Sequence, residues 1–261
     1  MKLMKRLGQN FLNSKKIIRE IIRAADLDEK DIVLEVGPGK GILTEALVER
    51  AKRVIAVEKD KRLAEYLREK FSNQKNLEII EGDILNFKFS ILNFQFSNYK
   101  IIANIPYYIT SHFLRKFLES DFQPKMMVLM VQKEVADRII ARDGKESILS
   151  ISVKAYGEPK IIKKVPARYF SPQPKVDSAI LKIDNISKDF FKNCAISEIA
   201  QWERIFFELV KKGFSHKRKL LKNNLKMLNT ECRTFTFCGI SKKARAENLS
   251  LENWKCICKQ I

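Results

Sequence analysis

No stretch of the 261 residues approaches the roughly 18 consecutive apolar residues that a membrane-spanning helix requires. The basic opening Met1-Lys2-Leu3-Met4-Lys5-Arg6 runs straight into polar Gly8-Gln9-Asn10, so it lacks the apolar core of a secretory signal. A cytoplasmic protein without membrane contact is therefore expected. There is no internal repeat and no low-complexity linker. Cysteine is missing from the first 193 positions; Cys194, Cys232, Cys238, Cys256 and Cys258 all lie in the tail. Cys256 and Cys258 stand closer together than the cysteines of a zinc site usually do, and of two histidines only His216 falls nearby. Reduced structural thiols and no metal are expected. Acidic residues are outnumbered, 31 against 50 Lys and Arg, for a net charge of +19. A surface this basic favours a polyanionic partner.

What is present describes a folded protein. The chain is 45% hydrophobic and 31% charged, and is long enough for one substantial core plus a small appended domain. Ser14 is a good N-cap for a helix carrying Ile17, Ile18, Ile21 and Ile22 on one face. Short apolar runs at 32–36, 54–57, 77–80, 100–103 and 126–131 read as buried strands, with later strands at 160–165 and 178–183. Helical patterns fall between them, Ile42, Leu43, Ala46 and Leu47 among the first. Alternation of this kind builds a doubly wound, mostly parallel α/β sheet, whose ligands bind at the carboxyl ends of the strands. Gly37, Glu58, Asp83 and Asn104 each follow an expected strand. Beyond about residue 186 the pattern turns helical, with one face at Ile205, Phe206, Leu209 and Val210 and another at Leu220, Leu221, Leu225 and Leu228. Residues 186–261 hold 16 Lys and Arg against 7 Asp and Glu, about twice the density of net positive charge found in residues 1–185. A basic helical domain over 186–261, appended to a ligand-binding domain over 1–185, suits a nucleic-acid partner.

Two motifs carry the chemistry. Glu35-Val36-Gly37-Pro38-Gly39-Lys40-Gly41 is a glycine turn between a strand and a helix, where a ligand can approach bare backbone. Its spacing is neither that of a dinucleotide fingerprint nor that of a P-loop. Glu58 is placed to accept ribose hydroxyls, and Asp83 to accept from an adenine amine with Ile84 packed on the ring. Downstream, Asn104-Ile105-Pro106-Tyr107 combines an amide, a stiffened turn and an aromatic ring, the groups that hold a planar adenine. A cofactor pocket followed by a base clamp points to a nucleic-acid methyltransferase.

These motifs, with Gly8-Gln9-Asn10-Phe11-Leu12, Gly82-Asp83-Ile84 and Phe170-Ser171-Pro172-x-Pro174-x-Val176-Asp177-Ser178, resemble the ribosomal RNA adenine dimethyltransferases over essentially the whole chain. Tail residues Phe206 to Leu225 are similar to the bacterial small-subunit branch of that family. The resemblance implies a Rossmann-like class I methyltransferase sheet with a small all-helical C-terminal domain. It implies S-adenosylmethionine as donor, and two methyls on each of two adjacent adenosines near the 3′ end of small-subunit rRNA, within the precursor subunit. It implies that Gln9, Asn10 and Leu12, from an arm over residues 1–13, cover the cofactor. Gly37 and Gly39 would approach its methionine part, Glu58 its ribose, Asp83 and Ile84 its adenine. Asn104 and the Ile105 carbonyl would hold the target amine on the turn that Pro106 stiffens, with Tyr107 stacked on one face of the base and Phe170 closing the other. Lys211, Lys212, Lys217, Arg218, Lys219 and Lys222 would contact rRNA phosphates. The family suggests a monomer.

Three other readings share these features: a relative methylating one large-subunit adenosine, a noncatalytic RNA-binding assembly factor, and a DNA adenine methyltransferase. The Phe170–Ser178 stretch and the Arg218-Lys219 tail favour the small-subunit enzyme over the first, and intact Asn104 and Tyr107 argue against the second. The chain departs from the usual pattern at Asp143–Ser150, which lacks an expected tyrosine, and at Tyr108, where relatives often carry Asn or His. Both are expected to bear on how RNA is held.

Overall fold

A computed structural model of the chain describes residues 10–87, 98–192, 199–225 and 232–260. The alternating apolar runs fold in chain order as β1 (Phe11–Leu12), α1 (Lys15–Ala25), β2 (Ile32–Val36), α2 (Ile42–Val48), β3 (Arg53–Glu58), α3 (Lys61–Lys70), β4 (Leu77–Glu81) and β5 (Tyr99–Ala103). There follow α4 (Thr110–Leu118), β6 (Met126–Gln132), α5 (Lys133–Ile139), α6 (Ile148–Lys154), β7 (Glu158–Val165), β8 (Phe170–Ser171) and β9 (Ser178–Asp184). The tail supplies α7 (Ile199–Gly213), α8 (Leu221–Leu225), α9 (Cys232–Phe237) and α10 (Leu251–Cys258).

Seven strands form one sheet in the order β4-β3-β2-β5-β6-β9-β7. The first five pair in parallel, and β9 runs antiparallel to both β6 and β7. The strand order reverses between β2 and β5, the topological switch point where open α/β sheets bind ligands. Register makes this concrete. Val36 lies opposite both Val57 and Ala103, so Gly37 and Asn104 leave the sheet side by side. Among the described residues, β1 pairs with β8 in a separate two-stranded ribbon, Leu12 opposite Phe170.

Local chemistry explains the elements. The Ser14 hydroxyl accepts from the Ile17 amide, and α1 buries Ile17, Ile18, Ile21, Ala24 and Ala25. β2, β3 and β5 are buried at almost every position, as central strands covered on both faces must be. At its N-terminal end β5 carries a buried lysine. Lys100 Nζ donates to Asp31 Oδ2 at 2.7 Å and to the carbonyls of Ala25 and Asp26 at 3.2 and 2.6 Å. It thereby ties the end of α1, where Asp26 is left-handed, to the sheet.

The chain folds as two compact units, Met1–Ala136 with Glu158–Ile186, and Asp137–Gly157 with Ser187–Ile261. The tail's division falls one residue from the expected 185/186 boundary. Asp137–Gly157 differs from expectation by belonging with the tail. Its Tyr156 packs against Phe191 and Phe207 and its hydroxyl donates to Glu203, all residues of the second unit. The atypical Asp143–Ser150 stretch supplies Ser147 and Ser150, which form a capping box at the start of α6. α7 buries Trp202, Phe206, Leu209 and Val210, while Leu228 of the expected second face lies outside the described residues.

The cysteine reading needs correction. Cys238 and Cys256 form a disulfide with Cα atoms 5.7 Å apart. α10 returns to the end of α9, where Asn253 Nδ2 donates to the Cys238 carbonyl. Cys258 is a buried thiol.

Breaking a buried ion pair leaves its partner charge uncompensated. Lys100→Met is expected to lower unfolding free energy by about 3 kcal/mol in urea titrations. Arg115→Ala, which removes only the exposed pair with Glu119, should change it by no more than about 0.5 kcal/mol.

Candidate active site

At the carboxyl ends of β2, β3, β4 and β5 lies an open cleft of about 780 Å³, lined by Asn10, Phe11, Gly37, Gly39, Glu58, Lys59, Asp83, Ile84 and Asn104 through Ile109. Gly37, Gly39 and Gly41 have φ of 69°, 60° and 79°, a left-handed run that side chains rarely adopt. A Cβ on Gly39 would also press to 2.8 Å from the Phe11 ring. The glycine turn is thus what lets the arm close over it.

Glu58 is nearly buried, and both its oxygens are engaged: Oε2 accepts from the Gly39 amide at 3.1 Å and Oε1 from the Asp60 amide at 2.9 Å. Burial pushes its carboxyl up, opposed by these amide bonds. At Asp83, partial burial would also push upward, but the Lys59 ammonium at 2.7 Å and the Leu85 amide at 3.0 Å prevail and hold it below the ordinary value.

Asn104 donates from Nδ2 to the Asn10 carbonyl at 3.2 Å, so the clamp and the arm are joined, and Oδ1 is the amide's acceptor. Tyr107 starts a 3-10 turn after Pro106; its carbonyl accepts from Thr110 Oγ1 at 2.9 Å, and its hydroxyl shares a 2.6 Å hydrogen bond with fully buried Ser178 at the start of β9. Ile105 is buried beneath it. Tyr108 is 60% exposed and lines the cleft.

Two expected positions differ. Phe170 belongs to the core cluster with Leu12, Ile17 and Ile21 and lines neither the cleft nor the cavity beside it. Its pairing with Leu12 across the β1–β8 ribbon turns both side chains inward. Leu12 consequently lines that second cavity, while Phe11, which sequence reasoning passed over, lines both. Gln9 lies outside the described residues. In the second unit, Lys211, Lys217, Arg218, Lys219 and Lys222 are exposed and Lys212 is half-buried.

The second cavity, about 820 Å³, reaches Gly37, Asn104 and Glu35. Glu35 is 1% exposed. Burial pushes its carboxyl up to about 8; the Thr44 hydroxyl opposes this and the Glu58 charge adds to it. Beyond that loose Thr44 contact, neither Glu35 oxygen has a hydrogen-bond partner among the described residues. Between the ordinary carboxyl range and pH 8 the folded protein retains a proton that the unfolded chain has released. This group therefore favours folding progressively less as pH rises through that window. Glu35→Gln should match the wild type in unfolding free energy at pH 5 and exceed it increasingly toward pH 8, by up to a few kcal/mol. A gap that is constant across that range in scanning calorimetry would refute the assignment.

The family model for ribosomal RNA adenine dimethylase matches residues 1–261. The chain is 43% identical over 263 residues to ribosomal RNA small subunit methyltransferase A of Dehalococcoides mccartyi strain 195, covering 97% of this chain and 87% of the relative. It is 41% identical over 256 residues to the protein of that name from Fusobacterium nucleatum, covering 96% and 94%. Among solved structures, the 23S rRNA methyltransferase ErmE is similar with a TM-score of 0.78 at 28% identity, covering 96% of this chain and 99% of that one. A dimethyladenosine transferase from Plasmodium falciparum is similar with a TM-score of 0.78 at 29% identity, covering 95% of each. Motif, switch-point geometry and full-length kinship agree: the chain is a methyltransferase and belongs to the ribosomal RNA adenine dimethylase family.

Proposed function

We propose that this enzyme transfers two methyl groups to the exocyclic amine of each of two adjacent adenosines near the 3′ end of small-subunit rRNA. Its substrate is the precursor of the small ribosomal subunit, on which it works as a cytoplasmic monomer with S-adenosylmethionine as donor. The observation that carries the reading is the Asn104 amide. With Nδ2 committed to the arm, Oδ1 is left to accept from an amine beside the glycine turn. The relatives at 43% and 41% identity bear a small-subunit name, whereas the large-subunit methyltransferase stands at 28%.

The residues present fit the donor. A Cβ on Gly39 would fill the cradle against Phe11, and the orphaned, buried Glu35 carboxyl lies at the wall of the adjoining cavity. Glu58 retains lone pairs for ribose hydroxyls, Asp83 would accept from the adenine amine, and Ile84 would pack on that ring. When bound, S-adenosylmethionine supplies an electrophilic methyl on a sulfonium.

An adenine amine is a weak nucleophile because its lone pair is delocalised into the ring. Accepting its two hydrogens at Asn104 Oδ1 and the Ile105 carbonyl fixes the nitrogen and exposes the lone pair. Orientation of this kind can supply about 7 kcal/mol or more of a barrier. The base must leave its stack to reach the cleft. Tyr107, tethered at its hydroxyl, offers it a ring face worth about 1–3 kcal/mol. The reaction draws on no dedicated general base, since solvent takes the proton once the amine is methylated.

Unmethylated small subunits and protein-free large-subunit rRNA, each given labelled S-adenosylmethionine, separate the readings by mass spectrometry of RNA digests. Dimethyladenosine is expected on the small subunit alone. Asn104→Ala should lower kcat by about 100-fold or more, as loss of a positioned polar group does. Label on large-subunit RNA would move the assignment to that relative, and binding without label would leave an assembly factor. Replacing Lys217, Arg218 and Lys219 together by alanine should weaken RNA binding and reduce the slope of log K against log salt by about one for each phosphate no longer neutralised.

A further inference from the structure

The turn that follows β4 forms the outer wall of the cleft and has an edge strand behind it. β4 is the terminal strand of the sheet and is only half-buried, and among the described residues no strand beyond it supports this wall. On its inner side the turn is held by Gly82, whose amide donates to the Glu58 carbonyl at 2.8 Å. Within the turn, the Asn86 amide donates to the Asp83 carbonyl, and the Leu85 amide to Asp83 Oδ1. The remaining support comes from α4. Lys116 Nζ donates to the carbonyls of Leu85 and Phe87, each at 2.9 Å.

Leu85 therefore sits between two groups, its amide on the Asp83 carboxylate and its carbonyl on the Lys116 ammonium. The ammonium is partly withdrawn from water, and burial lowers its pKa against the opposing pull of Asp83. A cation bound to two carbonyls in such surroundings makes stronger hydrogen bonds than a neutral donor would. α4 begins at Thr110, whose hydroxyl bonds the Tyr107 carbonyl, so the helix that supports the Asp83 wall also supports the base clamp.

We propose that Lys116 is a positioning residue for the nucleoside end of the cofactor: by clamping Leu85 and Phe87 it fixes the turn on which Asp83 and Ile84 meet the adenine. It does not touch the ligand and acts through Asp83. The inference rests on the reading of Asp83 as the acceptor of the adenine amine.

The test is calorimetric titration of the full-length protein with S-adenosylhomocysteine and with S-inosylhomocysteine, whose base bears a carbonyl where adenine bears the amine. Lys116→Met removes the ammonium and keeps the stem. It is expected to raise Kd for the adenosyl ligand about tenfold, to raise it at least threefold less for the inosyl ligand, and to leave kcat at saturating donor within twofold. Lys116→Arg, which keeps a cationic donor, should recover most of the affinity. A merely structural lysine would weaken both ligands equally, and that result, or an unchanged Kd, overturns the proposal. Should Lys116→Met fail to fold, Lys116→Gln, with one neutral donor, carries the same comparison. Asp83→Ala separates the two levels. If it does not discriminate between the bases, the reading of Asp83 fails; if it does and Lys116→Met does not, only the role of Lys116 fails.

Discussion

Parallel pairing of β2 with β5, Val36 opposite Ala103, puts a glycine turn and an amide clamp on adjacent strands at the one place where the sheet's winding reverses. Everything at the site depends on that register. A slip by one residue would turn each strand's side chains to the opposite face. Gly37 and Asn104 would then no longer emerge together. The register is secured by strands buried on both faces, and at the far end of β5 by Lys100 holding Asp31 and the end of α1. An ion pair far from the cleft thus helps keep the cleft's two motifs in line.

Electrostatically, the site contrasts with its protein. A chain of net charge +19 keeps two carboxyls, Glu35 and Glu58, almost out of water under the glycine turn. Glu58 is stabilised by backbone amides, whereas Glu35 has no such bonds and retains its proton to about pH 8. A net positive charge favours a polyanion at long range, whereas the cleft and the cavity beside it are lined with carboxyls.

Much of this was legible in the sequence, because buried parallel strands read as short apolar runs and end at residues that cannot be core. That places Gly37, Glu58, Asp83 and Asn104 at strand ends around the cleft, and Ser14 follows from its capping chemistry. Other features leave no local signal. A two-residue strand has no periodicity, so the Leu12–Phe170 pairing was hidden, and with it the inward turn of both side chains. Residues 137–157 resemble any crossover helix, and only their aromatic packing reveals the second unit. An 18-residue gap between Cys238 and Cys256 says nothing of a bond between them. Lys116 looks like one more lysine on a helix, its role visible only once two carbonyls are seen beside it.

The site's walls come from distant parts of the chain. Phe11 pairs with Ser171 in the β1–β8 ribbon, Asn10 precedes it, and the Tyr107 hydroxyl is held by Ser178. During synthesis the five parallel strands can leave the ribosome, with glycine turn and amide in place, well before either tether has been made. Pairings of such long sequence separation form late, after the local ones. An emerging chain therefore carries an unfinished cleft until residue 178 is free to fold, and competence to modify RNA arrives with one of the last strands of the sheet.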